Sequence, residues 1–129
     1  MLDLDLLPED YAVCRLPSGS TIPAPLASGP DDKSVVSVTW SPEEVSVICR
    51  SDRVPPGATI EMPWRCLRVV GPLDMALTGV LASLVGPLAE ARVNIIAFST
   101  YDTDYLLVPA VRLAEALDTL TATGHRIVS

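Results

Sequence analysis

The chain has 129 residues, enough for one compact unit or two very small ones in contact and too few for a long multidomain enzyme. Hydrophobic residues make up 49% but aromatics only 5%, so the core is built from Leu, Val, Ile and Ala, a composition that suits helices lying on a sheet. Nine Lys and Arg against 16 Asp and Glu give a net charge of -7, which repels a phosphate backbone and argues against nucleic-acid partners.

The opening stretch MLDLDLLPEDY has no basic segment ahead of an apolar run, and nothing reaches the roughly 18 apolar residues of a membrane helix. The expectation is a cytoplasmic protein with no membrane contact. Cys14, Cys49 and Cys66 each sit inside an apolar run and form no CxxC pair, which reads as small buried hydrophobes in a reducing compartment.

Leu2, Leu4 and Leu6 alternate with Asp3 and Asp5, a period of two that predicts an extended edge segment with one apolar face. Asp10 to Leu16 reads as the next strand. Four prolines and two glycines between Pro17 and Lys33 leave room for at most one helical turn, around Ala24 to Ala27. Ser34 to Trp40 and Glu44 to Arg50 are rich in β-branched residues and flank a compact turn, a hairpin. The Pro55 to Pro63 stretch breaks that pattern and marks a boundary between halves.

Beyond it, Arg65 to Gly71 reads as a strand, and Leu77, Val80, Leu81, Leu84, Leu88 and Ala91 recur at helical spacing with Asp74 placed as the N-cap. Pro87 inside that helix removes the hydrogen bond to the Ser83 carbonyl, which predicts a kink. Val93 to Ser99 and Asp104 to Val108 form a second hairpin around the polar turn Thr100 to Thr103. Pro109 fits the first position of a helix carrying Leu113, Leu117 and Leu120, Gly124 ends it, and Arg126 to Val128 close the chain as a strand. The order β-α-β-β-α-β predicts an α+β, ferredoxin-like fold with both helices on one face of a four-stranded antiparallel sheet. The first half offers a shrunken version with its helices mostly missing.

Two loops are candidates for chemistry. Backbone N–H groups at Met75 to Leu77, at the expected helix start, would hold a ligand carboxylate, while Asp102 or Asp104 at the hairpin would balance an ammonium group; together they suit an amino acid. The plain alternative is that Asp74 is only a cap and Asp102, Thr103 and Asp104 only turn formers. No nucleophile or acid–base set forms a motif, and the lone His125, after Gly124, reads as a capping or surface residue, so no enzymatic activity is expected. One histidine and three separated cysteines lack zinc spacing, and no metal or cofactor is implied.

The run RVVGPLDMALTGVLASLVGPLAEARVNI followed by IAFSTYDTDYLLV resembles the ACT domain, in the tandem branch related to the CASTOR-type cytosolic arginine sensors. YAVCRLPSGSTIPAP with SVVSVTWSPEEVSVICR resembles the degenerate ACT-like N-terminal half of bacterial members. The resemblance implies a degenerate ACT-like half over 1–60, an ACT domain over 61–129, and a regulatory protein holding an amino acid at a domain or subunit interface. It assigns ligand binding to Asp74, Met75, Leu77, Thr100, Tyr101, Thr103 and Asp104, with Asp104 as the charge partner. The sensors carry an acid at the position of Leu77 and an aromatic at that of Thr103, so the identity of the amino acid stays open. A homodimer is expected, because an open sheet edge is buried by pairing two sheets side by side. The competing reading is a module that mediates assembly without a ligand.

Overall fold

The computed structural model describes residues 1–74 and 76–128. They form two compact units, Pro8–Trp64 and, larger, Met1–Leu7 with Arg65–Ser129.

The smaller unit is built on β2 (Tyr11–Pro17), β3 (Ser37–Trp40), β4 (Glu44–Arg50) and the first half of β5 (Thr59–Val69). The β-branched run of β3 pairs with β4 across the expected turn, β4 pairs with β2, and β2 with β5, all antiparallel. In chain order the sheet therefore runs second, third, first, fourth. Its crossovers carry one short helix, α1 (Ala24–Ala27), and a 3-10 turn at Ser51–Arg53. Prolines confine α1 to a single turn, which buries Leu26 against Ala12, Cys14, Leu16, Val45, Val47 and Cys49.

The larger unit combines β1 (Asp3–Leu6), the second half of β5, α2 (Val80–Glu90), β6 (Ile96–Ser99), β7 (Asp104–Pro109), α3 (Leu113–Ala122) and β8 (Arg126–Ile127). The β-α-β-β-α-β order from β5 onward holds. Leu84 and Leu88 of α2 and Ala116 and Leu120 of α3 enter one cluster with Leu67, Val69, Leu106 and Val108, as helices on one face of a sheet must.

Several expectations need correction. β1 is no edge: it lies between β5, antiparallel, and β8, parallel, so the sheet has five strands in the order β8-β1-β5-β7-β6. Its alternation explains why. Leu4 is buried in the core of this unit, while Asp5 faces Arg68 at 2.9 Å and Asp3 faces Arg126 at 2.9 Å, so opposite charges mark both registers. β5 begins at Thr59 and runs through Pro63, so the prolines before Trp64 do not interrupt it. Pro109 ends β7 instead of opening a helix; a 3-10 turn, Ala110–Arg112, precedes α3. α2 starts at Val80, after Gly79 with φ +78°, so neither Asp74 nor Leu77 belongs to it. Gly124, at φ +99°, does end α3 in the left-handed conformation.

His125 is buried, not a surface residue. Its Nδ1 accepts from the Leu2 amide at 3.2 Å and its Nε2 meets the Ser83 carbonyl at 3.0 Å, which defines the neutral tautomer with hydrogen on Nε2. That carbonyl is the one Pro87 leaves without its helical donor. The imidazole thus replaces the lost bond and joins α2 to Leu2, the residue before β1. His125→Ala removes the partner of both groups; each is only partly buried, so each costs no more than the roughly 1–3 kcal/mol of a fully buried orphan. A clear drop in the urea midpoint is expected, larger than in the double variant with Pro87→Ala, which returns a donor to Ser83.

Candidate functional site

The chain after β5 leaves through Gly71-Pro72 and folds against the β6–β7 hairpin. Three contacts fix it there. The Leu73 amide donates to the Asp102 carbonyl at 2.7 Å, the Thr103 hydroxyl donates to the Val69 carbonyl at 2.6 Å, and Gly71 packs so closely that a Cβ would stand 3.1 Å from the Asp102 carbonyl oxygen. The hairpin closes on itself through the Thr100 amide and the Thr103 carbonyl at 2.9 Å. Polar residues make this turn because their side chains bond nearby backbone.

Between loop and hairpin lies a hollow of about 230 Å³, lined by Asp74, Leu77, Thr100, Tyr101, Thr103 and Asp104, and also by Leu73, Val80, Ser99 and Asp102. Six of the seven sequence-designated residues therefore meet in one place. The seventh, Met75, lies outside the described residues. Their availability differs. Thr103 is buried and its hydroxyl proton is committed to Val69, so it holds the hairpin. Tyr101 is 80% exposed and Leu77 56%, both at the rim. Asp104 accepts a hydrogen bond from the Ser99 hydroxyl.

Of the expected carboxylate cradle at Met75 to Leu77, Met75 lies outside the described residues and the other two amides are already bonded. Asp74 Oδ1 accepts from the Ala76 amide at 2.9 Å, and the Asp74 carbonyl accepts from the Leu77 amide at 3.0 Å, a turn that uses up those donors. The helix start that borders the hollow is Val80, three residues beyond Leu77. No side chain caps it, and the Ser83 amide, bonded to Gly79, is the first in the helical ladder, so the amides before it point out of the helix end unpaired within it. Among the described residues the lining carries three carboxylates, Asp74, Asp102 and Asp104, and no basic group. Sequence reasoning placed Ser99 in the hairpin loop without assigning it to binding, and passed over Val80. Ser99 is the register partner of Asp104, a signal that the hairpin pairing itself contained.

Larger hollows, about 670 and 800 Å³, lie in the smaller unit, where apolar side chains dominate; polar groups converge at the hairpin instead. Among the described residues no set of His, Cys, Asp or Glu is placed to hold a metal ion, and no helix is long and apolar enough to cross a membrane. All three cysteines are free and buried. Burial pushes the Cys49 and Cys66 thiols up to about 12 and moves Cys14 upward as well, the reverse of what a nucleophile needs.

A family model described as an ACT domain matches residues 59–122, and a second, described as an N-terminal domain, matches 9–57. A crystal structure of a protein from Agobacterium tumefaciens is similar over 98% of this chain and 92% of its own, at 31% identity and a TM-score of 0.87. The regulatory subunit of aspartate kinase from Thermus thermophilus matches over 94% and 97%, at 14% identity and a TM-score of 0.62, which is a likeness of fold. The cytosolic arginine sensor for mTORC1 subunit 1 of Bos taurus is 30% identical over 95 residues, 65% of this chain; the chain spans 29% of that protein's length.

Two outcomes follow from this geometry. Gly71→Ala forces a Cβ against backbone that cannot yield cheaply, and overpacking of this kind costs about 1–3 kcal/mol, so thermal unfolding should shift down. The native thiols should resist an aromatic disulfide reagent at pH 8 and react within the mixing time once the chain is unfolded in guanidinium.

Proposed function

We propose that this chain, which belongs to the ACT-domain family, is a regulatory protein that binds a free amino acid in the hollow between the post-β5 loop and the β6–β7 hairpin. The observation that carries the reading is the composition of that hollow: three carboxylates and three accessible hydroxyl-bearing residues, Ser99, Thr100 and Tyr101, beside an uncapped helix start. The Asp74, Asp102 and Asp104 carboxylates receive the ligand's ammonium group. The first-turn amides of α2 receive its carboxylate, where unpaired N–H groups and the helix dipole favour an anion.

At about 230 Å³ the space falls below the roughly 300–1,000 Å³ of pockets for drug-sized ligands and suits a single amino acid. Thr100 and Tyr101 line the mouth, Leu77 lies on the loop side, and Thr103 positions the hairpin. The likeness to an arginine sensor supports an amino-acid ligand without fixing which one. Tyr101 and Leu77, large and exposed at the rim, are the surfaces a second copy would close, so the ligand is placed at a subunit interface of a homodimer. Catalysis has no part in this reading: the output is a change in assembly or in a partner's binding.

A thermal-shift screen against the twenty amino acids tests it, since a ligand of the native state adds about 2.7 kcal/mol at a hundred times its Kd. One amino acid or a small chemical class should raise the melting temperature. Asp104→Ala should weaken that ligand at least tenfold while unfolding near the parent temperature, because it gives up only a hydrogen bond at an exposed strand end. A flat screen, or a shift that Asp104→Ala leaves intact, removes the site as described.

A further inference from the structure

The crossover from β2 to β3 is fixed at both ends and free between them. Pro17 closes β2 opposite Glu44. At the far end Asp32 takes hydrogen bonds from the Ser34 amide and hydroxyl, from Arg50 at 2.7 Å and from Arg53 at 3.0 Å. Between these points, in residues 18–30, every hydrogen bond is local. The Ser20 amide and hydroxyl donate to the Pro17 carbonyl, the Leu26 and Ala27 amides to Pro23, Ser28 to Ala24, and the Gly29 amide to Leu26. None reaches β3, β4 or β5, strands that are themselves joined to neighbours by ladders.

Apolar contact holds the segment instead, mostly through one side chain. Leu26 is the only buried residue from 18 to 30, with Ile22 partly buried beside it. The cluster that Leu26 closes is otherwise made of strand residues, Ala12, Cys14 and Leu16 of β2 and Val45, Val47 and Cys49 of β4, which the ladder places on one face. Trp40, opposite Val45, shares that face and is 63% exposed, so the cover stops short of the end of β3.

The segment is also undercut on both flanks. A hollow of about 670 Å³ lies between it and Val36, Val38 and Trp40, and one of about 800 Å³ between it and Val54, Pro55 and Pro56; Leu26, Gly29 and Pro30 line both. Gly19 and Gly29, each at φ +82° with nothing within 4 Å of a Cβ position, bracket the span. Glycine turns through that region at no steric cost, so the backbone has a pivot at each end.

We propose that residues 18–30 form a hinged strap that swings off the sheet while the strands stay paired, with Leu26 as its latch, and that its opening gives solvent access to the Cys14 and Cys49 thiols beneath. Segments with few buried apolar contacts and no ladder open at a small fraction of the global unfolding free energy. A strap bonded to the strands would open only with them; this one has nothing to break but the seat of Leu26 and the contact of Ile22. Lifting it joins the two hollows into one apolar cleft. Cys66, in β5 and outside that cluster, gains no access from the movement.

Alkylation of the full chain by iodoacetamide over hours, with initial rates read cysteine by cysteine by mass spectrometry, tests this. Cys49 and Cys66 are a matched pair, both wholly buried and both with thiols pushed up to about 12. Cys14 and Cys49 should be labelled roughly tenfold faster than Cys66, at rates nearly flat in urea well below the unfolding midpoint, because a short strap exposes little surface. Leu26→Ala removes the latch and Gly29→Ala strains the closed backbone alone; each should speed Cys14 and Cys49 roughly tenfold further and leave Cys66 unchanged. Equal rates at the three cysteines, rates that climb with urea along the unfolding transition, or rates indifferent to both substitutions overturn the proposal.

Discussion

The candidate site exists because one segment of backbone is held within van der Waals reach of another. The Leu73 amide meets the Asp102 carbonyl at 2.7 Å, an approach so close that a Cβ at residue 71 would stand 3.1 Å from that carbonyl oxygen. Thr103 repeats the tie from the hairpin side by donating to Val69, the last residue of β5. With those bonds made, the directions of the surrounding side chains are set by geometry alone. Asp74 follows Leu73 by one residue, while Asp102 and Asp104 flank Thr103, so carboxylates from two segments distant in sequence reach one hollow.

The same region shows where sequence reading works and where it fails. The hairpin was legible because two β-rich runs flank a polar turn, and its pairing then dictated which residues share an end. The helix start was not. Leu77 is in phase with Val80, Leu84 and Leu88, so periodicity extends the helix one turn too far; the distinguishing feature is Gly79, whose left-handed conformation is a property of the folded loop. Asp74 has the composition of an N-cap and performs the related task of bonding an amide two residues on, outside any helix. β1 failed differently. Its alternation was clear, but its partners lie more than sixty residues away in sequence, and nothing local separates an edge strand from one inserted between two others.

His125 and Pro87 form a pair that neither residue announces alone. A proline in a helix orphans a carbonyl, which then bonds water or another donor. Here the donor comes from the residue after Gly124, whose left-handed turn directs the chain back along β1 and brings the imidazole to both Ser83 and Leu2. What looks like a local defect in α2 is thereby a tertiary link. The helix that opens beside the hollow is tied at Ser83, its first turn, to Leu2, the residue before β1.

The division of labour between the units follows from their helices. Both have the strand order second, third, first, fourth, and in the larger the order is interrupted once, by β1. Where α2 and α3 are complete, the sheet face is sealed and polar groups gather at the loop end. Where prolines cut α1 to a single turn, the face stays partly open and its edge keeps a tryptophan that a sealed face would have hidden. An exposed indole on the inner face of a sheet is unfavourable by the cost of leaving that apolar area in water. The loss of helices in one half therefore leaves apolar surface open, while their completeness in the other gives the hairpin site its walls.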